Sequence, residues 1–392
     1  MAEVDATHRQ ATVVVATTLA VTHGPILQGH SLGLRERGSR VVAVGHGMST
    51  HPGAASYDAA YDIQKVRARR PSSVVSAALS FRRICAQEQP DLVWLHTSLM
   101  AAVGRLAVLT LPPRRRPKVV YLAYGFYFDS VNRSLLGLVF RVVEWALSMV
   151  TDHLQTVSRE DYERARRLPG RTAANTELTR GLGIDLQELS EVSGRRDEVR
   201  NRLGLATDDL AVFAVGQLDP KNRTIDALEA VSALGDGVRL FVIGDGPELR
   251  HLEAAAGGLP GPSPVFLGRH TDRTGLLCAA DALVYPSTSE GLPSVVLEAQ
   301  AMGIPVVGAR VRGTSDILSD DAGVLVNHRD VPALTAGLRE VLFDEKRRAE
   351  IVQSAKDRAW QHQAQFAASA ARTVQLMLDR AADDRLRTRA RR

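Results

Sequence analysis

Two glutamates, Glu290 and Glu298, mark the segment of this sequence that is best suited to chemistry. Seven residues lie between them, and apolar runs at 282–285 and 305–308 flank the segment. Carboxylates would repel a phosphate, whereas they form strong charge-assisted hydrogen bonds with neutral hydroxyl groups. Either glutamate alone also suits a solvated loop or the positive end of a helix. As a pair they predict a site for a hydroxyl-rich molecule.

The residues between the glutamates predict a tight turn that leads into a helix. Gly291 and Leu292 form the turn, and Gly291 lets the backbone bend sharply. Pro293 presets the backbone before the helix, and Ser294 is the predicted N-cap. The amides of residues 294–296 would then point outward and suit a phosphate. Hydroxyls beside a diphosphate describe a nucleotide sugar.

A basic cluster follows the predicted strand 210–215. The strand leads into Gly216 and Gln217, which we expect to line the donor site, and then into Lys221 and Arg223. Positioned cations stabilise the negative charge that develops on a departing diphosphate. We therefore expect Lys221 and Arg223 to act in catalysis, and an exposed basic turn is the alternative.

Further candidates follow other strands, at the edge where parallel sheets place their sites. His23 and Gly24 come after the first strand, and Gly24 would let the backbone approach a diphosphate. His96 ends a later strand, either as a ligand-facing residue or as a satisfied structural histidine. Arg269 follows the strand at 265–267; the family that these motifs resemble implies stacking on a nucleobase there, and a surface role is the alternative.

The composition predicts a two-domain globular protein. Its 392 residues are too many for a single hydrophobic core of ordinary size. Charged residues make up 24% of the chain and hydrophobic residues 45%, a composition that excludes a disordered chain. The two cysteines, Cys85 and Cys278, fall in different predicted domains, which excludes a disulfide framework and fits the cytosol. Cys278 lies in an apolar run, where we expect a buried thiol. Residues 135–150 are too short and too charged, through Arg141 and Glu144, to cross a membrane.

The net charge of +5 is unevenly distributed along the chain. Residues 1–190 carry 23 basic and 16 acidic side chains, whereas residues 191–392 carry 26 and 28. The basic excess gathers at 67–70, 82–83, 114–118 and 164–167. Such clusters attract anionic lipid and nucleic acid alike, but no aromatic platform or nucleic-acid motif accompanies them. We therefore expect no nucleic-acid partner. Two roles of the basic clusters stay open: a solvated surface, or a weak contact with the anionic membrane at the inner face of the cell.

Alternating apolar and amphipathic segments predict a parallel α/β sheet in each half. In the first half we expect strands at 12–17, 40–44, 91–95, 118–122 and 153–157 and helices at 27–37, 72–87, 99–109, 135–149 and 159–167, with a loop over 45–70. After residues 182–202 we expect strands at 210–215, 239–243, 265–267, 282–286, 305–309 and 324–326. Helices are expected from 224, 247 and 272 and at 331–343 and 367–378, with a frayed tail over 385–392.

Taken together, these motifs resemble the retaining glycosyltransferases of family 4, which have the GT-B fold. The two glutamates, the Gly-Leu-Pro turn and the following Ala-Met-Gly-Ile-Pro-Val-Val are the most specific part of the resemblance, which covers nearly the whole chain. Shorter motifs resemble the bacterial capsular and exopolysaccharide branch: 26–30, 95–97, 104–106, 125–128, 143–145 and 158–163.

The resemblance implies two facing, doubly wound Rossmann-like domains with a cleft between them. An acceptor-binding domain would cover 1–186 and a nucleotide-sugar-binding domain 187–365. The remaining residues, 366–392, would form a helix that crosses back to the first domain and a basic tail.

The resemblance also implies roles for the candidate residues. Glu298 would hold the ribose hydroxyls of the donor, and Glu290 would hold hydroxyls of the transferred sugar. The donor would be a nucleotide sugar, expected to be a UDP-sugar, and the acceptor a glycan or a lipid-linked glycan of surface polysaccharide biosynthesis. His96, Tyr124 and His23 would lie near the acceptor.

Two positions depart from the pattern of the family. Gln217 stands where the family usually has an arginine, and Tyr124 stands where it often has a histidine. Gln217 lacks the bidentate guanidinium, which puts the phosphate site in question, whereas Tyr124 can still donate a hydrogen bond but cannot act as a cation. The sequence contains no Asp-x-Asp triplet, so we expect neither a metal nor a cofactor.

Three other functions are alternatives to this one. A transferase acting on a small-molecule natural product and a non-catalytic, sugar-binding GT-B protein both stay open. An NAD-dependent oxidoreductase requires Gly-x-Gly-x-x-Gly after the first strand, and the residues there lack it.

Overall fold

The computed structural model describes residues 10–23, 25–67, 70–126, 135–169, 172, 174–179, 184–270, 272–319 and 321–390. The chain divides into two compact units. The first consists of Met1–Gly183 and Gln365–Arg392, and the second of Ile184–Ala364.

The first unit is built on a seven-stranded parallel sheet with the strand order β3-β2-β1-β4-β5-β6-β7. Its strands are β1 (Thr12–Leu19), β2 (Arg40–His46), β3 (Ala59–Asp62), β4 (Leu92–His96), β5 (Lys118–Ala123), β6 (His153–Thr156) and β7 (Thr176–Leu178). Its helices are α1 (Pro25–Glu36), α2 (Pro71–Glu88), α3 (Ser98–Leu109), α4 (Leu135–Ser148) and α5 (Arg159–Ala165).

Alternate residues of the central strands enter two separate cores, as the period of two requires. Val14 and Ala16 of β1 lie in the core that holds α2 and α3. Val13 and Val15 lie in the opposite core, with Leu27 and Leu34 of α1. The sheet is therefore covered on both faces, which explains the nearly continuous apolar runs of its strands.

The second unit carries a six-stranded parallel sheet with the strand order β10-β9-β8-β11-β12-β13. Its strands are β8 (Leu210–Val215), β9 (Val238–Ile243), β10 (Val265–Gly268), β11 (Ala282–Tyr285), β12 (Val306–Ala309) and β13 (Val324–Val326). Its helices are α6 (Leu186–Ser193), α7 (Arg196–Arg202), α8 (Thr224–Ser232), α9 (Leu249–Ala256), α10 (Arg273–Leu277), α11 (Ser294–Ala301), α12 (Thr314–Leu318) and α13 (Val331–Phe343).

The last helix, α14 (Glu345–Ala390), contributes to both units. Its residues up to Ala364 belong to the second unit, and those from Gln365 onward belong to the first. The sequence predicted a frayed tail over 385–392, but the helix continues to Ala390.

The predicted strands and helices are present in both units, with shifts of a few residues at their ends, except that the helix predicted at 367–378 is part of the much longer α14. The predicted loop over 45–70 is wrong in part, because it contains the short edge strand β3 and a 3-10 turn at Pro52–Ser56. The carboxylate of Asp62, at the end of β3, accepts the amide of Met48 at 2.5 Å, which fixes this loop although it lacks apolar periodicity. β7, α6, α7 and α12 were not predicted.

Both cysteines are buried, one in each unit, and neither forms a disulfide. Burial raises the pKa of Cys85 to about 12 and also raises the pKa of Cys278. The expectation of a buried Cys278 thiol is confirmed.

Two of the short sequence motifs meet in a buried ion pair. The guanidinium of Arg105 in α3 donates to both carboxylate oxygens of Glu144 in α4, at 2.7 and 2.9 Å. Arg105 is fully buried, donates also to the carbonyl of Ala101, and lies 4.7 Å from the ring centre of Tyr121. These motifs therefore hold α3 and α4 together on the sheet.

We expect Glu144→Ala to destabilise the first unit by about 3–5 kcal/mol, because it leaves a buried guanidinium without its counter-charge. The double variant Arg105→Met with Glu144→Leu removes both charges and should recover most of that loss. Urea unfolding followed by the fluorescence of buried Trp94 measures both effects. A double variant as unstable as the single one would contradict this role for the pair.

Candidate functional site

The candidate site lies in the second unit, where β8, β9, β11 and β12 end. In a parallel sheet these ends share one edge, so the loops that follow them converge. The loop after β8 carries Gln217 and Lys221, and the loop after β11 carries Glu290 and leads into α11 with Glu298. The sheet thus brings together the two motifs that the sequence singled out.

Main-chain contacts between these loops are so close that only glycine fits. A Cβ atom on Gly244, after β9, would lie 1.8 Å from the carbonyl oxygen of Gly216, after β8. A Cβ on Gly313, after β12, would lie 1.9 Å from the carbonyl oxygen of Gly291. The loops that carry Gly216 and Gly291 therefore each lie in direct contact with the main chain of a neighbouring loop.

Hydrogen bonds tie the same loops together. The hydroxyl and the amide of Thr288 both donate to the carbonyl of Lys221, at 2.9 and 2.8 Å. The amide of Leu218 donates to the carbonyl of Asp245 at 3.0 Å. The loop that bears the candidate cations is thereby bonded to the loop that bears the first glutamate.

Glu290 is fixed in this frame by its neighbours. The Ser287 hydroxyl donates to the Glu290 carboxylate at 2.8 Å, and the Arg312 guanidinium donates to the Glu290 carbonyl at 2.8 Å. Burial, and then the charge of Glu290 and a hydrogen bond to it, raise the pKa of Tyr285 well above its usual value. Tyr285 therefore stays a neutral donor, and Glu290 presents a half-buried, oriented carboxylate.

Glu298 has one engaged oxygen and one buried oxygen without a partner. Arg273 at the start of α10 donates to Oε1 of Glu298 at 2.6 Å. Within the described part of the chain, Oε2 is buried and accepts no hydrogen bond. A buried acceptor without a donor is costly, so this atom marks a position where a ligand hydroxyl or amide would be stabilised.

The surroundings of Glu298 favour a neutral donor over an anion. Burial, followed by the charges of Asp185, Glu298 and Asp272, raises the pKa of Glu188. The neighbourhood is therefore acidic, apart from Arg273. It suits the hydroxyls of a ligand and disfavours its phosphates.

The predicted cap of α11 is wrong. The N-cap is Pro293, and Ser294 is the first helical residue, whose hydroxyl accepts from Arg273 at 3.0 Å. The amide of Val296 donates to the carbonyl of Pro293 at 3.2 Å, so it does not point outward as predicted. Because Pro293 has no hydroxyl to cap the helix, the outward amides of the first turn are those of Ser294 and Val295.

The two candidate cations are placed differently. Lys221 and Gln217 are both exposed at the mouth of the loop after β8. Arg223 has a left-handed backbone with φ of 51°, and its guanidinium forms an ion pair with Asp226, which raises its pKa further. Lys221 is thus the candidate whose charge faces solvent, whereas the charge of Arg223 is shared with a carboxylate.

The remaining donor-site candidates lie around this edge. Arg269 is exposed directly after Gly268, the last residue of β10. Gly291 and Leu292 form the turn before α11, and Leu292 is buried beneath it. Gly24 lies outside the described residues.

The candidates of the first unit form a separate cluster. His96, at the end of β4, is fully buried, and its Nδ1 lies 3.0 Å from the hydroxyl of Tyr124, after β5. Their rings are stacked with centres 5.9 Å apart, and burial raises the pKa of Tyr124. His23 ends a 3-10 turn after β1, and its side chain lies outside the described part.

Sequence reasoning missed the residues that orient the two glutamates. Arg273, Tyr285, Ser287 and Arg312 belong to no motif that we used. A signal existed for Arg273 only, because it follows the helix cap Asp272, whose side chain accepts from Gly275 at 2.9 Å. The partners of that arginine, Ser294 and Glu298, belong to a different helix, which no local pattern encodes.

The chain matches the family model for glycosyl transferases group 1 over residues 195–358. It is 25% identical to the UDP-Gal:alpha-D-GlcNAc-diphosphoundecaprenol alpha-1,3-galactosyltransferase of Escherichia coli, over 69% of this chain and 71% of the relative. It is 30% identical to the D-inositol 3-phosphate glycosyltransferase of Xylanimonas cellulosilytica, over 68% and 67%.

Among solved structures, HepE of Anabaena in complex with UDP-glucose superimposes with a TM-score of 0.75 at 19% identity, over 93% of this chain and 99% of HepE. The likeness shows a shared GT-B fold, in agreement with the two parallel-sheet α/β units described above.

We expect Gly313→Ala to weaken ligand binding at this site by about 10-fold or more, because the new methyl group would push Gly291 and the adjacent Glu290 out of place. Gly237→Ala is the matched control. Gly237 has φ of 87°, similar to the 74° of Gly313, but a Cβ there meets nothing within 4 Å. Calorimetric titration with UDP measures both variants. Equal effects of the two substitutions would show that the close approach is irrelevant to the site.

Proposed function

The chain belongs to the group 1 glycosyl transferases, and on that premise we propose that it is a retaining, family 4 enzyme. It moves a sugar from a nucleotide-sugar donor, a UDP-sugar, to a glycan or lipid-linked acceptor in surface polysaccharide biosynthesis. The observation that carries the proposal is the buried, unsatisfied oxygen of Glu298 beside the oriented carboxylate of Glu290.

Glu298 binds the ribose of the donor. Its Oε2 accepts a ribose hydroxyl, while Arg273 holds the other oxygen and so fixes the orientation of the carboxylate. A charged acceptor that lacks a donor gains more from such a bond than a solvated group does. The UDP-glucose of HepE and the UDP-Gal in the name of the Escherichia coli relative favour uridine as the nucleoside.

Glu290 binds hydroxyls of the sugar that is transferred. It lies in the loop after β11, and hydrogen bonds from Ser287 and Tyr285 orient its carboxylate. A rigid carboxylate can hold the sugar ring with its anomeric carbon exposed to an acceptor. Such positioning lowers the barrier because little entropy remains to be lost in the transition state.

The diphosphate leaves toward the first turn of α11 and Lys221. The bond between the anomeric carbon and the phosphate oxygen breaks, and the acceptor oxygen bonds to the same face of that carbon. The acceptor proton passes to an oxygen of the departing phosphate. Lys221 and the amides of the first turn stabilise the charge that develops on it.

Gln217 and Arg223 modify this part of the site. Gln217 donates hydrogen bonds without a charge, and Arg223 shares its charge with Asp226. The positive charge available to the diphosphate therefore comes mainly from Lys221. We propose that these groups do the work of a divalent ion, so that transfer requires neither metal nor cofactor.

The first unit receives the acceptor beside Tyr124, whose hydroxyl contacts the fully buried His96. A lipid-linked acceptor agrees with the diphosphoundecaprenol acceptor in the name of the Escherichia coli relative. Such an acceptor would place the enzyme in the cytoplasm, at the inner face of the cell membrane. A small natural product as acceptor, or sugar binding without turnover, is the alternative that Gln217 and Tyr124 keep open.

We expect the wild-type protein to hydrolyse one member of a panel of UDP-, GDP- and dTDP-sugars slowly, without added metal. Glu290→Gln should lower that rate about 100-fold, because it removes the charge that holds the sugar. Glu253→Gln, an exposed position on α9, is the control and should leave the rate unchanged. Chromatographic detection of the released nucleotide measures all three proteins. Donor binding without turnover, in the presence of a lipid-linked glycan as well, would contradict an enzymatic function.

A further inference from the structure

Helix α4 of the first unit carries a row of large apolar side chains on its outer face. Leu138, Val142 and Trp145 are 53%, 57% and 57% exposed, and Met149, just past the helix end, is 60% exposed. Their spacing of four, three and four residues places them on one side of the helix. Glu144 points inward to Arg105, so the ion pair described above fixes which side faces out.

The neighbouring helices extend this apolar surface. α3 packs beside α4, and α2 packs beside α3. Val75 and Leu79 of α2 are 58% and 50% exposed, and Leu106 and Leu109 of α3 are each 38% exposed. We call these residues, with those of α4, the apolar face of the first unit. So many large exposed apolar side chains on adjacent helices are unusual for a protein without a partner.

Exposed arginines gather at one end of the same helix layer. All strands of the sheet are parallel, so the C-terminal ends of α2, α3 and α5 lie at the edge where the strands begin. Six exposed arginines lie near these ends: Arg82 and Arg83 in the last two turns of α2, and Arg114, Arg115, Arg166 and Arg167 beyond the ends of α3 and α5. We call them the basic rim, and it borders the apolar face.

We propose that the apolar face and the basic rim together dock the first unit onto an anionic lipid bilayer. The partner is a membrane surface because the protein matches both layers of one. The apolar face suits the apolar layer of the bilayer, and the basic rim suits its anionic head groups. Tryptophan is favoured at this boundary, and Trp145 lies at the centre of the α4 row. No described helix is long and apolar enough to cross a membrane, so α4 would lie in the interface.

This inference rests on the proposed function in one respect, since a lipid-linked acceptor would be presented where the acceptor-binding unit meets the membrane. Binding to vesicles is nevertheless measured without donor or acceptor. Its failure is therefore distinguishable from a failure of the proposed transfer.

The test is co-sedimentation of the full chain with vesicles of phosphatidylcholine, alone or mixed with phosphatidylglycerol. We expect the wild type to bind the mixed vesicles and to bind pure phosphatidylcholine at least about 10-fold more weakly. Trp145→Glu should weaken binding to the mixed vesicles by about 10-fold or more. Trp360→Glu is the matched control, because Trp360 is 60% exposed in the second unit, and it should bind as the wild type does.

The basic rim is tested separately. Arg114→Glu with Arg115→Glu should weaken binding and reduce its dependence on salt. Slow donor hydrolysis should be the same in all these variants, which shows that they remain folded and loaded with substrate.

Three results would overturn the inference. The first is no binding to anionic vesicles, and the second is equal binding by Trp145→Glu and Trp360→Glu. The third is a wild-type dimer, seen by light scattering, that Trp145→Glu dissociates, since the apolar face would then be covered by a second copy of the chain.

Discussion

The close approach of neighbouring loops at the end of the second sheet is the constraint on which the candidate site depends. Gly244 rests on Gly216, and Gly313 rests on Gly291, at distances that leave no room for a side chain. Because the main chain at Gly313 lies directly against the main chain at Gly291, the turn before α11 has little conformational freedom. The positions of Glu290 and Glu298 follow from that turn, and a site that must hold a sugar in one orientation requires such rigidity.

The two glutamates are tuned differently by their surroundings. Glu290 is half-buried and accepts a hydrogen bond from the Ser287 hydroxyl, whereas Glu298 is buried, with one oxygen held by Arg273 and the other without a donor among the described residues. A buried acceptor without a donor costs about 1–3 kcal/mol, and more if it is charged. A ligand that supplies a donor to Oε2 of Glu298 removes this cost, which favours the binding of a hydroxyl or amide group.

The sequence revealed those features that local pattern encodes. Apolar runs located the strands, and the spacing of Glu290 and Glu298 located the site, because one helix and one turn determine both. It could not reveal Arg273 beside Glu298 or Arg105 beside Glu144, since each pair joins residues from different helices. The cap of α11 was misplaced because Ser294 is a good capping residue, yet Pro293 already occupies that position and the serine hydroxyl bonds to Arg273 instead. Strand β3 was missed because an edge strand of four residues carries too little periodicity.

The central claim is that Glu298 recognises ribose hydroxyls, and a binding cycle tests it most directly. The affinities of UDP and of 2′,3′-dideoxy-UDP are measured by calorimetry for the wild type and for Glu298→Ala. We predict that the wild type prefers UDP by about 10- to 100-fold, the worth of a hydrogen bond to a charged group, and that the variant shows no preference. A preference for UDP that survives unchanged in the variant would contradict the account.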